Sequence, residues 1–166
     1  CDWSSDVCSS DLIPGLGPPD LVRSDYYDVD ISAAEPDVVF APGVDRKAAE
    51  QRVLQVTSLA PVFADVHRRS GDNGPNWATL MKDGKLPIVW SYVATEEGFL
   101  VGYPGCGVYP EAYDPRAEHW YTATVPTVGP HWEPAYYDES GMGLLITATR
   151  SLRDRKSTRL NSSHSS

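Results

Sequence analysis

Ile88-Val89-Trp90-Ser91-Tyr92-Val93-Ala94, then Thr95-Glu96-Glu97-Gly98, then Phe99-Leu100-Val101-Gly102-Tyr103: the fold turns on this stretch. Its two flanks are rich in β-branched and aromatic residues, which suit a pleated, half-buried surface. The linking residues are polar or small, and Gly98 can take the positive φ that a tight reversal needs. The pattern predicts an antiparallel hairpin with strands over 88–94 and 99–103.

Upstream of the hairpin the period changes. Asp45 stands where an N-cap belongs, ahead of Arg46-Lys47-Ala48-Ala49-Glu50-Gln51-Arg52, and apolar residues recur at Ala49, Val53, Val56, Leu59 and Ala60. That is amphipathic-helix spacing. Pro61 cannot donate an interior helix hydrogen bond, so a second helical piece is predicted from Val62 to about Arg69. Ser70-Gly71-Asp72-Asn73-Gly74-Pro75 ends it. Residues 13–44, rich in Pro, Gly and Asp, read as loop or extended connector. Downstream, a loop around Pro104-Gly105-Cys106-Gly107 leads to Asp114-Pro115, read as an N-cap and first helical residue. The short helix they open carries Trp120 and Tyr121, and a further strand is predicted over Leu144–Thr149. Helices, hairpin, short helix and strand together give an α+β domain built on an antiparallel sheet.

Both ends read as foreign to this domain. Asp154-Arg155-Lys156-Ser157-Thr158-Arg159-Leu160-Asn161-Ser162-Ser163-His164 back-translates without a mismatch to a standard sequencing-library adapter, and Asp2 to Leu12 to its reverse complement. Residues 1–12 and 154–166 are therefore set aside as adapter-derived, with 13–44 as connector and 45–153 as the domain proper, cut from a longer gene. Their removal takes four of 23 acidic residues and three of 14 basic ones, leaving 19 against 11 and a net charge of −8. An acidic domain argues against nucleic-acid binding, which needs clustered Lys and Arg against phosphate. Cys1 and Cys8 fall in the adapter, so Cys106 stands alone, and one thiol builds neither a disulfide framework nor a CxxC site. The sequence has no apolar run long enough to cross a bilayer.

A second group of residues bears on function. Tyr113-Asp114-Pro115-Arg116-Ala117-Glu118-His119-Trp120-Tyr121 is followed by Tyr136-Tyr137-Asp138, and with the hairpin the order from Trp90 to Leu152 resembles the membrane-distal lobe of Cache domains. Those are PAS-like extracytoplasmic sensor modules of chemoreceptors, sensor kinases and cyclases. The resemblance implies a truncated Cache domain: a PAS-like antiparallel sheet with N-terminal helices, binding a small molecule and catalysing nothing. It implies a membrane-anchored parent whose ligand shifts an equilibrium read by a cytoplasmic output, with a homodimer through the N-terminal helix. A non-signalling extracellular binding or accessory module of the same fold is the alternative.

Amino-acid-binding members of that family carry a Tyr, four residues, an Arg, one residue, then Trp-Tyr, and later a Tyr and an Asp. The matching ligand-binding positions are Tyr113, Glu118, Trp120, Tyr121, Tyr136 and Asp138. Glu118 stands in the Arg position, where a carboxylate repels an amino acid's own carboxylate instead of clamping it. Two acids among aromatic faces suit a cation, so the expected ligand is an amine or quaternary ammonium ion. Enzymatic readings fare worse: Cys106, His119 and His131 as thiol nucleophile and base, or the same three with Asp138 as a metal site, lack any recognised catalytic or metal-ligand spacing. Neither a catalytic residue nor a metal or other cofactor is expected.

Overall fold

The computed structural model describes residues 18–138 and 142–152, so both adapter-like ends lie outside the described residues. The hairpin is its centre. Strand β1 (Asp37–Phe40) is followed by helices α1 (Arg46–Thr57), α2 (Ala60–Arg69) and α3 (Trp77–Lys82), then by strands β2 (Ser91–Ala94) and β3 (Phe99–Tyr103). β2 and β3 pair antiparallel with Ser91 opposite Tyr103 and Ala94 opposite Leu100, and Gly98 turns the chain with φ +90°. β2 is shorter than predicted because side chains claim the backbone before it. Ile88 N–H donates to Ser70 Oγ, and the Val89 carbonyl accepts from the Tyr27 hydroxyl.

The predicted helix boundaries follow the same local chemistry. Asp45 caps α1, accepting from Ala48 N at 3.0 Å, and Ala49, Val53 and Val56 are its buried face. Pro61 lies in the first turn of α2, where a missing N–H costs nothing. Gly71, Asp72, Asn73 and Gly74, all at positive φ, then reverse the chain. Sequence periodicity gave no warning of α3, a single and partly exposed stretch.

Residues 18–44, the described part of the segment read as connector, contribute to the core. β1 adds to the hairpin as a third strand, order β1-β3-β2, with Asp37 opposite Gly102 and Phe40 opposite Phe99. Tyr27, Ile31 and Ala41 are buried, and a bridge joins Ser32 to Gly105. The Pro, Gly and Asp content that suggested a loop reflects frequent turns between short extended pieces, not absence of packing.

Strand alternation gives this sheet two working faces. Val38, Phe40, Val93, Phe99 and Val101 meet Ala49, Val53 and Val56 of α1 and Phe63 of α2 in one apolar cluster. The opposite face, with Asp37, Gly102 and Tyr92 in register across the three strands, receives the second half of the chain. There α4 (His119–Thr124) precedes strands β4 (Pro130–Trp132), β5 (Tyr136–Tyr137), β6 (Leu144–Leu145) and β7 (Ala148–Arg150). β4 pairs with β7 and β5 with β6, so the predicted strand 144–149 is broken in two. Glu133, Pro134 and Ala135 oppose only Ile146 and Thr147, which is a bulge, and Pro134 has no N–H to carry the ladder through. This mixed architecture of helices and small antiparallel sheets is α+β.

Candidate functional site

Tyr92 organises the far face of the sheet. Alternation along β2 sends Val93 to the helices and Tyr92 the other way, where its ring lies 4.8 Å from Trp120 of α4. Burial raises the Tyr92 phenol well above its ordinary value, and Tyr136, Glu118 and Glu133 add to the rise. The phenol of Tyr113 is raised in the same way, by burial first and then by Glu118, Tyr92 and Tyr136. Tyr113 in turn stacks on Tyr109 at 4.9 Å, and Tyr136 shares a 2.7 Å hydrogen bond with Thr147. Trp120 thus packs on the Tyr92 ring, and Glu118 and Tyr136 act on both the Tyr92 and the Tyr113 phenols.

The other two predicted positions are placed differently. Tyr121 meets Trp120 edge-on, and the charged groups that act on its phenol are Glu96, Arg116, Glu97 and Asp114 at the hairpin turn. Asp138 shapes the turn between β5 and β6: its carboxylate accepts from Met142 N at 3.3 Å and from the Trp90 indole at 3.5 Å. Trp90 belongs to the cluster around Tyr27, Ile31 and Cys106, so Asp138 points toward that cluster.

Asp114 does not cap a helix. Its carboxylate is taken by Arg116, through Nε at 2.9 Å and Nη2 at 2.8 Å, which holds it below the ordinary carboxylate value. The helix starts four residues later than Pro115 suggests, at His119, with Glu118 at the N-cap and no side-chain cap bond. That displacement leaves the Glu118 carboxylate to act on Tyr113 and Tyr92.

A charged group missed by sequence reasoning sits beside the aromatic one. The bulge after β4 turns Glu133 inward until its side chain is 6 % exposed. Its Oε2 meets His119 Nδ1 at 2.6 Å and its Oε1 meets His131 Nε2 at 2.7 Å. This arrangement ties the first residue of α4 to β4. The signal was the i, i+2 spacing of His131 and Glu133, which puts both on one face of a strand. With both histidines engaged on Glu133, neither is paired with Cys106. The Cys106 thiol is buried and pushed up to about 12, by burial first and then by the charge of Asp37. Among the described residues no group of three His, Cys, Asp or Glu side chains is arranged to hold a metal ion.

Asp37 and Tyr109 close the far face under Cys106. Asp37 Oδ2 accepts from Cys106 N at 2.9 Å and from Gly107 N at 3.0 Å, while Oδ1 is buried without a partner. Burial raises its carboxyl above the ordinary value despite those two donors.

Two surface depressions lie away from the aromatic group. One of about 580 Å³ is lined by Arg23–Asp28 and Met142; the other, of about 270 Å³, lies between α2, α3 and the segment that precedes β2. No described helix is long and apolar enough to cross a membrane. No protein-family model, curated protein or solved structure matches the chain.

Proposed function

We propose that this chain is the ligand-binding part of an extracytoplasmic sensor of the Cache type, and that its ligand is an amine or quaternary ammonium ion. The observation that carries the reading is the packing of Trp120 on Tyr92, with the Glu118 carboxylate and Tyr136 near enough to act on both the Tyr92 and the Tyr113 phenols. Electron-rich ring faces and a carboxylate attract a cation together, each ring contributing about 0.5–2 kcal/mol according to how far water is excluded. Trp120 is half-buried and Tyr136 is 39 % exposed, so the group can be reached from solvent.

The proposed signal passes through α4. α4 carries Trp120 and is fastened by His119 to Glu133 and by Thr124 to Thr149 of β7. A ligand drawn onto Trp120 biases the seat of α4 on that second sheet, which is the kind of differential contact a two-state sensor requires. In the parent protein a membrane anchor joins this part to a cytoplasmic output.

Calorimetric titration of the chain with tetramethylammonium, phenethylamine, acetate and alanine tests it. The cations bind and the anion does not, and Glu118→Gln weakens cation binding by about tenfold, the scale of one charge-assisted contact. Binding of acetate without binding of either cation overturns the ligand class.

A further inference from the structure

The smaller depression has the features of a second, separate ligand site. It is lined by the apolar Val66, Leu80, Leu86 and Ile88 and by the polar Arg69, Ser70 and Lys85. Leu86 is 74 % exposed and Ile88 38 %, so both present apolar surface to solvent.

Backbone geometry fixes this groove in advance. α3 ends in a Schellman motif: Lys85 N–H donates to the Leu80 carbonyl at 2.9 Å, Gly84 N–H to the Met81 carbonyl at 3.0 Å, and Gly84 has φ +71°. Three residues on, Ile88 N–H is held by Ser70 Oγ at the end of α2. The wall from Lys85 to Ile88 is thus pinned at both ends, so a ligand meets an apolar surface that is already ordered.

Charge selects the occupant. The chain carries a formal net charge of −9, yet the groove lining includes two cations and no acid. Arg69 shares Asp65 with Arg68, which leaves two guanidinium groups to one carboxylate. A volume of about 270 Å³ holds a single aliphatic chain and little more. We propose that this groove binds a free, single-chain aliphatic carboxylate, its tail on Leu80, Leu86, Val66 and Ile88 and its head group at Lys85 and Arg69. This site and its ligand class are independent of the aromatic group and of the cation proposed there.

The test is calorimetric titration of the chain with decanoate, kept below the concentration at which it self-associates, beside decanol and decyltrimethylammonium. One equivalent of decanoate binds, decanol binds more weakly, and decyltrimethylammonium binds least. Lys85→Glu, an exposed change after the helix end, weakens decanoate by about fivefold or more. Leu86→Asp abolishes binding, and both variants keep the thermal midpoint of the parent chain. Equal affinity for decanoate and decyltrimethylammonium, or unaltered decanoate binding by Lys85→Glu, overturns the proposal. So does a groove that proves to be a contact between two copies, with Leu86→Asp dissociating a dimer while decanoate shows no heat.

Discussion

Replacing Gly102 with Ala is a one-methyl perturbation at the junction of the two halves of the molecule. Gly102 is the middle residue of the row Asp37, Gly102, Tyr92 across the three strands. A Cβ built there meets Asp37 Oδ1 at 2.7 Å, Tyr109 Oη at 3.0 Å and Leu100 Cδ2 at 3.4 Å. The first contact is impossible without movement, and Asp37 has little freedom, because its other oxygen is held by two backbone N–H groups. Tyr109 is equally confined by its stack on Tyr113. Overpacking of this kind costs about 1–3 kcal/mol. For a chain of this length each kcal/mol lowers the thermal midpoint by roughly 2–4 °C. A fall of about 5 °C is therefore expected by differential scanning calorimetry, with Tyr109→Phe giving partial relief in the double variant. A midpoint within 1 °C of the parent would refute the placement of Asp37 and Tyr109 over this glycine.

Three further outcomes follow from other parts of the fold. His67 is 1 % exposed between Asn73 and Ser91, and burial lowers its value below that of free imidazole, so it is neutral in the folded chain. A depressed folded value means its stability contribution is complete above about pH 6.5 and is lost as pH falls from there through the folded value; urea midpoints of the parent should drop between pH 7.5 and 5.5 more than those of His67→Gln. In a chain carrying Cys1→Ser and Cys8→Ser, Cys106, buried and raised to about 12, should resist a thiol-specific disulfide reagent at pH 8 in the folded state and react at once in urea; rapid labelling without denaturant would contradict its packing. Asp45→Ala removes the α1 cap and should cost about 1 kcal/mol by urea denaturation, whereas Asp45→Asn should cost a few tenths.

The hairpin, the α1 cap and the proline start of α2 were legible because each rests on chemistry within a few residues. Non-local contacts were not. Nothing in the composition of residues 18–44 shows that Tyr27 donates to the Val89 carbonyl or that Val38 and Phe40 complete the core under α1. Asp114-Pro115 has the form of a helix start, yet Arg116 two residues on competes for the carboxylate and wins.

In the candidate site the sequence picked out Tyr113, Glu118, Trp120 and Tyr136 and passed over Tyr92, on which Trp120 packs. Tyr92 was visible as a strand residue whose alternation opposes Val93, but the face it would meet depends on how residues 113–136 fold back. Glu133 was hidden for the same reason, since its burial follows from the bulge at Pro134. Asp138 lies two residues from Tyr136 yet turns to Trp90, with its backbone N–H held by the Gly143 carbonyl at 2.8 Å.

The most direct test of the account is where a small cation sits. Intermolecular NOEs from the methyl protons of tetramethylammonium to the labelled chain report ring contacts without any assumption about affinity. The account predicts NOEs to the ring protons of Trp120, Tyr92 and Tyr113, diminished in Glu118→Gln. NOEs confined to the exposed rings of Trp132 and Tyr137, or none at all, would contradict it.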